Sequence, residues 1–361
     1  MTSQVDIAVF GAGQFAERIV TDLGATAPGP IRVLIAARNR ERLDWLVTAA
    51  NARAFMFGRP AVFEPVVLDA SDKPSVTRML AERRPRLVVQ TASSQPSAVI
   101  GHEDTKWSRL IARAGLSATA ATQSLLTLNV GEAIRDAGVE SALINCCFPD
   151  VVNALLEARG IPVLCGTGNV AILSNAFSGA LSDRTLKLQV LAHYQQLVAW
   201  RMPAESRGGV PPRVWINGKE LEDVFARFRN IKLTVAPAIE ISGASGVSLM
   251  SAFVLGLPWT GHVPGPSGRP GGYPVRLAGG CLELDLPTQV SEAEAIAWNA
   301  RFETEMGLVV DGSGHARFTG LLRESLAAEG FPFADGFEVA QIEQVAAEQM
   351  KLRARLEAIP A

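Results

Sequence analysis

The stretch Val5-Asp-Ile-Ala-Val-Phe-Gly-Ala-Gly-Gln-Phe-Ala16 decides the fold of this chain. Residues 5–10 are mostly apolar and β-branched, which is typical of a buried strand. Gly11 and Gly13 follow, and apolar residues then recur at helical spacing as far as Gly24, which we expect to end a helix. The pattern predicts a strand, a tight turn and a helix at the start of the chain.

The glycine turn has the spacing of a dinucleotide-binding loop. Gly11 permits a sharp turn, Gly13 lets a pyrophosphate approach the backbone, and the small Ala16 lets the helix pack closely on the strand. The first N–H groups of the helix, at Gln14 and Phe15, and the positive end of its dipole attract phosphate. These five residues are predicted to bind a dinucleotide. The alternative is a glycine turn in a domain that binds no nucleotide.

The end of the second strand predicts which dinucleotide is bound. The strand covers residues 31–36 and runs into Ala37-Arg38-Asn39-Arg40. A site for NAD places an acidic residue here to accept from the ribose 2′-hydroxyl, whereas arginine pairs with the 2′-phosphate of NADP. We therefore predict NADP as cofactor, bound through Arg38 and Arg40. Arg40 has a second interpretation as a solvated residue at the start of the next helix.

Two further strand ends complete the predicted nucleotide site. A third strand at 66–69 places Asp69 and Ala70 beside the adenine, and a fourth at 87–90 opens into the polar loop 91–96. Ligands bind at the carboxyl ends of parallel strands, so this loop should contact the nicotinamide ribose. The predicted contacts in the loop are Thr91, Ala92 and Ser93.

Strands alternating with helices predict the fold class. A short fifth strand at 116–121 and a sixth at 141–146 follow the four already described. We predict an α/β fold, a Rossmann doubly wound parallel sheet, with a second α+β domain whose mixed sheet binds substrate. The nucleotide domain is expected to span 1–148, with C-terminal helices at about 316–361 packing back on it. The substrate domain is expected to span 149–315.

The second domain is predicted from weaker patterns. Strand-like runs occur at 187–194, 232–235, 247–254 and 281–285, and the last helix is predicted over 336–358. These runs would form the mixed sheet.

A segment rich in glycine and proline interrupts this domain. Residues 261–273 hold five glycines and three prolines. We expect an irregular loop that covers the substrate; the alternative is a solvated connector.

Candidate reactive side chains lie mainly in the second domain. Reduction of a C=N or C=O group needs a proton donor, and a substrate carboxylate needs a fixed arginine. The predicted catalytic residues are His193, Asp150 and Tyr273. The predicted substrate-binding residues are Arg201, Arg276 and His262. Plainer interpretations stay open: a structural histidine, a helix cap at Asp150 and surface arginines. Asn169, after the turn 165–168, either caps the next helix or lies near the nicotinamide.

Composition excludes several other classes of protein. The 361 residues carry 34 Lys and Arg against 36 Asp and Glu, without a basic stripe, so nucleic acid is not an expected partner. Neither a secretory leader nor an apolar run long enough to span a bilayer is present, so we expect a cytoplasmic protein with no membrane partner. The four cysteines and four histidines are scattered, so no disulfide framework and no metal site are expected.

Four phrases together resemble the saccharopine dehydrogenase-like NADP-dependent reductases: GAGQFA, AARNRERL, LDASD and QTASSQP, all within residues 1–155. In that family a Gly-Phe-Asp-Pro-Gly…Asn turn leaves the nucleotide domain. This chain has Cys147-Phe-Pro-Asp-Val-Val-Asn153, with the Asp and Pro transposed and the glycine missing. The resemblance implies that Phe148 and Asn153 contact the cofactor.

The resemblance also implies an activity. We expect NADPH-dependent reduction of an imine or carbonyl group of a small amino-acid-like metabolite, in the cleft between the domains of a homodimer. Two alternatives stay open. One is an NADP-dependent alcohol/ketone dehydrogenase on the same architecture, and the other is a non-catalytic NADP-binding sensor.

Overall fold

A five-stranded parallel sheet organises the chain, and the computed structural model describes residues 4–94, 105–234 and 238–359. The strands lie in the order β3-β2-β1-β4-β5 and pair only in parallel. Their bounds are β1 (Ile7–Phe10), β2 (Ile31–Ala37), β3 (Ala61–Val67), β4 (Leu87–Gln90) and β5 (Ala142–Asn145). The predicted α/β fold with a doubly wound sheet is confirmed. The strand order reverses at β1 and β4, whose carboxyl ends border the crevice where such sheets bind ligands.

Helices cover both faces of the sheet and continue into the second half of the chain. Those before residue 181 are α1 (Gln14–Thr26), α2 (Arg40–Met56), α3 (Lys73–Arg83), α4 (Lys106–Ala114), α5 (Ala120–Asp136), α6 (Val151–Ala158) and α7 (Val170–Ala180). The later helices are α8 (Val198–Arg201), α9 (Val224–Arg227), α10 (Ile239–Ser242), α11 (Val247–Leu255), α12 (Glu292–Met306), α13 (Gly320–Ala328) and α14 (Ile342–Glu357).

The remaining described strands form three small sheets in which every pair is antiparallel. The first sheet contains β6 (Leu188–Leu191), β7 (Arg213–Ile216) and β8 (Lys219–Glu220). The second contains β9 (Trp259–Pro264), β10 (Gly272–Ala278) and β11 (Cys281–Leu284). The third contains β12 (Leu308–Val310), β13 (His315–Phe318) and β14 (Phe337–Glu338).

Alternation of side chains along the strands separates two cores. On one face, Ala8, Phe10 and Leu143 are buried with residues of α3, α5 and α14. On the other face, Ile7 and Val9 are buried with residues of α1, α2 and α11. Because both faces are covered, the strands have the continuous apolar character from which the sheet was predicted.

The predicted fifth strand is wrong, so the described sheet has five strands and not six. Residues 116–121 form a 3₁₀ helix (Leu116–Thr119) that continues into α5. The small residues Ala118, Ala120 and Ala121 are buried there, and short apolar runs do not distinguish helix from strand. Beside β5, Leu164 N–H donates to Leu143 O at 2.8 Å. This bond belongs to a short parallel pairing that ends at Cys165 and does not form a further strand of the described sheet.

The first helix does not end at Gly24 as predicted. It runs to Thr26, and Gly24 is buried inside it. A β-carbon at Gly24 would lie 2.6 Å from the carbonyl oxygen of Ala50, so the glycine permits close packing of α1 on α2. The residue is therefore a packing glycine and not a helix stop.

Two predicted strands of the second domain are also wrong. Residues 247–254 belong to α11, because this mostly apolar segment lies on the parallel sheet and is buried with β1 and β2. The described part of 232–235 has no strand, and Val235 lies outside the described residues.

The segment 261–273 is not an irregular lid. It forms the β9–β10 hairpin, whose residues pair from Trp259 with Leu277 to Pro264 with Gly272. A β-carbon at Gly272 would lie 2.2 Å from Val170 on α7. The glycines there reflect close packing of a buried hairpin.

The end of the chain packs against the half that contains the parallel sheet. The predicted last helix begins later, at Ile342, because Phe337 pairs with Ala316 in the preceding sheet. Ile342 and Val345 are fully buried in the same core as α5, and the Thr122 amide donates to Gln349 Oε1 at 3.2 Å. The division into domains at 148 and 315 stays a prediction. Within the described residues, no helix combines the length and the apolar character needed to cross a bilayer.

The packing of α11 generates a stability prediction. Leu249 on this helix is fully buried against the sheet, so Leu249→Ala should lower the free energy of unfolding by about 2–5 kcal/mol through the cavity it leaves. Urea denaturation measures the loss. Leu257→Ala, at a position 44% exposed just after the helix, is the control and should change little. Equal effects of the two substitutions would contradict the packing of α11 on the sheet.

Candidate functional site

The turn after β1 lies in close contact with the loop after β4. Gly11 has φ of 123°, and a β-carbon there would lie 2.3 Å from the Thr91 hydroxyl. That hydroxyl donates to the carbonyl oxygen of Phe10 at 2.7 Å. Gly11 is therefore required by its backbone conformation and by the approach of the neighbouring loop.

The second glycine of the turn faces open space. Gly13 precedes the first residue of α1, no side chain caps that helix, and a β-carbon at Gly13 would meet nothing within 4 Å. Gln14 is exposed, Phe15 is half-buried, and Ala16 is buried beneath the turn. An uncapped helix end beside open space leaves its N–H groups available to a phosphate.

Three arginines lie near the end of β2, and the structure distinguishes them. Arg40 donates through Nε to Asp44 at 2.8 Å, and Arg42 donates through Nε to Ala12 O at 3.1 Å. Arg38 is 78% exposed, and its ion pair with Asp69 is long, at 3.8 Å. Its guanidinium is thus the one of the three least engaged by the described residues.

The turn after β3 is held by its own hydrogen bonds. Asp69 Oδ1 accepts from the backbone N–H and the hydroxyl of Ser71, at 2.9 and 2.7 Å. These bonds, and then the charge of Arg38, lower the pKa of Asp69. The Ala70 carbonyl accepts from the Asn129 amide at 2.5 Å. Asp69 and Ala70, the predicted adenine contacts, therefore lie on a hydrogen-bonded turn after the carboxyl end of β3.

The loop after β4 contacts the end of β5. Ala92 O accepts from the Cys147 thiol at 3.2 Å, and Ser93 Oγ donates to Gln123 Oε1 at 2.5 Å. The rest of the predicted loop, Gln95 and Pro96, lies outside the described residues. The ends of β1, β4 and β5 therefore form one continuous surface.

An amide network follows β5. Asn145 Nδ2 donates to Asn153 Oδ1 at 2.7 Å, and Asn153 Nδ2 donates to Gly265 O at 3.1 Å, which ties α6 to the hairpin. Phe148 packs edge-on against Tyr194 with ring centroids 4.9 Å apart. Burial raises the pKa of the Cys147 thiol to about 11, so this thiol is neutral near pH 7.

Next to this network lies a group of buried polar side chains, Asp150, His193, Tyr194 and Glu303, which we call the carboxylate cluster. Asp150 is 8% exposed, Glu303 is 4% exposed and His193 is fully buried. Asn169 donates to Asp150 Oδ1. Asp150 Oδ2, both Glu303 oxygens and His193 Nε2 have no well-aligned hydrogen-bond partner within the described structure. The Tyr194 hydroxyl interacts with the Ser117 side chain.

The histidine of the cluster is oriented toward the glutamate. His193 Nδ1 accepts from the Gln195 amide at 3.2 Å, so a neutral ring carries its proton on Nε2. His193 Nε2 lies 3.3 Å from Glu303 Oε1, near hydrogen-bond range but misaligned. His193 ends the extended segment after β6 and Tyr194 begins a 3₁₀ helix, so the two rings lie close together, with centroids 4.4 Å apart.

Burial controls the acidity of the cluster. It raises the pKa of Asp150 to about 7; the charge of Glu303 raises it further, while His193 and the Asn169 bond oppose the rise. Burial, followed by the charges of Glu303 and Asp150, raises the pKa of Tyr194 well above its usual value. Asp150 therefore exchanges a proton near neutral pH, as a general acid or base requires.

The side chain of Asn169 does not cap α7, which was one of the two roles predicted for it. Its side chain donates to Asp150, and its backbone has φ of 47° and ψ of −109°, a conformation that non-glycine residues rarely adopt. Strain of this kind persists where the surrounding structure imposes it, often at functional sites. Asn169 thus holds one oxygen of Asp150 in place.

Sequence reasoning missed Glu303. The buried face of α12 consists of Ala295, Asn299, Phe302 and Glu303, which follow helical spacing. A carboxylate at a core position of an amphipathic helix is the signal that was present in the sequence.

The other predicted reactive residues are engaged elsewhere. Tyr273 is fully buried and donates to Pro270 O at 2.7 Å, and His262 Nε2 accepts from the Val190 amide at 2.9 Å. Burial lowers the pKa of His262 to about 3, so the ring stays neutral. Arg276 pairs with Glu283 across the β10–β11 hairpin, and Arg201 ends the short helix α8. Burial, and in addition the charge of Glu303, raises the pKa of Tyr273, so this tyrosine lies near the carboxylate cluster. The contacts of His262 and Arg276 do not reach the cluster.

Comparisons with known proteins extend the description of the fold. No protein-family model and no curated protein sequence matches this chain. Among solved structures, lactate dehydrogenase from Eimeria maxima with NADH and oxamate has a TM-score of 0.54 at 14% identity, covering 84% of this chain and 93% of its own.

Two malate dehydrogenases are similar as well. The enzyme from Cryptosporidium parvum has a TM-score of 0.52 at 17% identity, covering 84% of this chain and 98% of its own. The apo enzyme from Picrophilus torridus has a TM-score of 0.51 at 13% identity, covering 98% and 99%. The chain therefore has the α/β fold of these dehydrogenases. The finer resemblance to saccharopine dehydrogenase-like reductases stays a prediction.

The raised pKa of Asp150 generates a prediction about stability. Between its ordinary value of 3.8 and about 7, folded Asp150 keeps a proton that the unfolded chain has released, so its contribution to stability falls as pH rises. Relative to the unmodified protein, Asp150→Asn should gain up to roughly 4 kcal/mol in free energy of unfolding between about pH 4 and about pH 8. Urea denaturation across this range measures it.

The matched control is Glu305→Gln, at an exposed position of α12. The difference in free energy of unfolding between Glu305→Gln and the unmodified protein should not vary with pH in this way. If the difference in free energy of unfolding between Asp150→Asn and the unmodified protein is constant over the same pH range, the raised pKa of Asp150 is contradicted.

Proposed function

We propose that the chain is an NADP(H)-dependent oxidoreductase that reduces an imine or carbonyl group of a small metabolite at the carboxylate cluster. One observation carries this proposal: the glycine turn after β1 and Asp150, five residues beyond β5, lie at the same edge of one parallel sheet. Thr91 against Gly11, and Ala92 against Cys147, connect the two sites through direct contacts. A dinucleotide bound along this edge would present its reactive end toward the cluster.

The residues of the turn fit the pyrophosphate of such a cofactor. The uncapped start of α1 supplies N–H donors and a positive dipole end, and the open space at Gly13 admits phosphate oxygens. Side chains larger than hydrogen at Gly13 would occupy that space.

Preference for the phosphorylated cofactor rests on Arg38. Ala37 occupies the position where an acidic residue would accept from a ribose hydroxyl, and Arg38 beside it is exposed. A 2′-phosphate would compete successfully with the long contact to Asp69, because a dianion pairs with guanidinium more strongly and in bidentate fashion.

The cluster supports proton transfer beside hydride transfer. A bound nicotinamide supplies hydride to the carbon of the C=N or C=O group. Reduction of a carbonyl leaves an alkoxide oxygen that needs a proton, and reduction of a protonated imine leaves an amine that takes one up. Asp150, with a pKa of about 7, delivers that proton and regains it from solvent.

An alcohol/ketone reaction is the second candidate. The observation that favours it is the carboxyl group of Asp150, whose pKa of about 7 lets it take up the proton that a hydroxyl group loses when hydride leaves its carbon. A homodimer and a cytoplasmic location stay predictions.

Cofactor choice is tested by calorimetry with NADPH and NADH. Arg38→Glu should weaken NADPH binding by about tenfold or more, since it replaces a charge-assisted contact with repulsion, and should affect NADH far less. Arg78→Glu, on the exposed side of α3, is the control. Equal losses for both nucleotides would refute the 2′-phosphate assignment, and no binding of either nucleotide to the folded, unmodified protein would refute the oxidoreductase.

Catalysis is tested by the near-ultraviolet absorbance of the reduced nicotinamide, in single turnovers with panels of ketones and preformed imines. Asp150→Asn should lower the rate with the best substrate by about a hundredfold to ten-thousandfold while NADPH still binds. Glu305→Gln should retain the full rate. Tight nucleotide binding without turnover across both panels would instead favour the non-catalytic sensor.

A further inference from the structure

The outer face of helix α2 is apolar, although it is exposed to solvent. The inner face of α2 is buried in the same core as β1 and β2, as expected for a helix that covers a sheet. The outer face of such a helix is ordinarily polar. Here Trp45, Phe55 and Met56 lie on it and Phe57 follows at its end, with exposed fractions of 56, 88, 68 and 54%. Large apolar side chains grouped on a surface mark a site of interaction.

We propose that this face binds a second copy of the chain, with the two α2 helices packed antiparallel about a twofold axis near residue 50. The central contacts are made by Trp45, Thr48, Ala52 and Phe55, which we call the outer stripe. These four exposed residues recur at intervals of three and four, so they lie along one side of the helix in the pattern by which paired helices interlock. The pairing requires neither cofactor nor substrate, so it stands apart from the proposed function.

The outer stripe is complementary to itself when it is reversed. Trp45 and Phe55 lie five residues to either side of position 50, and Thr48 and Ala52 lie two residues to either side. In an antiparallel pair each Trp45 therefore faces the partner's Phe55, and each Thr48 faces the partner's Ala52. The small residues in the middle let the helix axes approach to about 8–10 Å, while the large residues pack at both ends. A twofold axis repeats the same contacts on both sides of the centre.

Charge complementarity favours the same orientation. Glu41 lies on the outer face in the first turn of α2, and Arg59 lies just beyond the last turn; both are exposed. Arg59 Nε donates to Ala25 O at 3.3 Å, which holds the side chain beside the end of the helix. Reversal about position 50 brings each Glu41 to the partner's Arg59. An antiparallel pair thus has opposite charges together at both ends, whereas a parallel pair would have like charges together.

The exposed apolar area is sufficient for a dimer. Taking about 200 Å² for a large side chain, the exposed parts of Trp45, Phe55, Met56 and Phe57 amount to on the order of 500 Å². A standard interface buries about 800 Å² of each partner, and about 65% of it is apolar in homodimers, which is again on the order of 500 Å². The apolar surface at α2 therefore matches what a stable pair of identical chains needs.

The neighbouring edge strand does not offer a competing way of pairing. β3 lies at the edge of the parallel sheet, and an exposed edge can accept a further strand. The outward-facing backbone of Phe63 is instead bonded to the Asn51 side chain of α2: Phe63 N–H donates to Oδ1 at 3.0 Å, and Nδ2 donates to Phe63 O at 2.9 Å. Pro65, which faces the same way, has no N–H to donate. A partner therefore binds through the side chains of α2 and not as an added strand.

The pairing is tested by sedimentation velocity of the full chain over a range of concentrations. We expect the unmodified protein to sediment as a dimer at micromolar concentration. Phe55→Glu should raise the dissociation constant about a hundredfold or more, because it removes an aromatic contact twice in each dimer and brings a charge into the interface. Leu321→Glu, which introduces the same charge at an exposed apolar position of α13, is the control and should not change it. A monomeric unmodified protein, or an equally stable dimer of folded Phe55→Glu, would overturn the proposal.

The orientation is tested by cross-linking. Thr48→Cys and Ala52→Cys proteins, each also carrying Cys281→Ser to remove the exposed native thiol, are mixed and treated with a mild oxidant. Because an antiparallel pair places position 48 of one copy against position 52 of the other, the mixture should form disulfide-linked dimers in higher yield than either protein alone. A mixture that gives no higher yield would overturn the antiparallel arrangement.

A membrane surface is the other occupant that exposed aromatic side chains could meet. Flotation with vesicles of phosphatidylcholine and phosphatidylglycerol distinguishes the two. We expect the unmodified dimer to remain with the soluble fraction, because its apolar faces cover each other. A monomer that floats with the vesicles, and loses this binding in Phe55→Glu, would overturn the proposal and assign the face to a membrane.

Discussion

Thr91 approaches Gly11 so closely that no side chain could stand between them, since a β-carbon on the glycine would lie 2.3 Å from the threonine hydroxyl. This contact joins the ends of β1 and β4, where the order of the strands reverses. The loop after β4 in turn touches Cys147 beyond β5. Because these ends are held together, the open space at Gly13 and the buried acid at Asp150 lie at the same edge of the parallel sheet.

Burial of charge is the second constraint. Two carboxylates are removed from water in the cluster, and among the described residues only one of their oxygens, on Asp150, accepts a hydrogen bond, from Asn169. A stable fold could have placed apolar residues at these positions at lower cost. Such a retained cost and a strained backbone, here at Asn169, are features that cluster at functional sites.

The half that contains the parallel sheet was predictable because its signals are local. A strand, the spacing of Gly11 and Gly13 and the following helix lie within a few turns of chain, and Arg38 directly follows its own strand. The second half depends on contacts distant in sequence. Residues 247–254 are apolar except for Ser248 and Ser251 and carry no clear period, so their helical state follows from packing on the parallel sheet. The glycines of 261–273 were predicted to form a loop because their packing partners, such as Val170, lie far away along the chain.

The sequence by itself determined the parallel α/β architecture, the position of the glycine turn and the importance of Asp150 and His193 as candidates, since turn chemistry and apolar periodicity are encoded residue by residue. Only the tertiary structure decided that Glu303, more than a hundred residues beyond His193, completes the cluster at 3.3 Å. It also decided that the Tyr273 hydroxyl donates to Pro270 O within the β9–β10 hairpin. Burial and mutual distance set the acidity of these groups, and both are properties of the assembled fold that no local pattern contains.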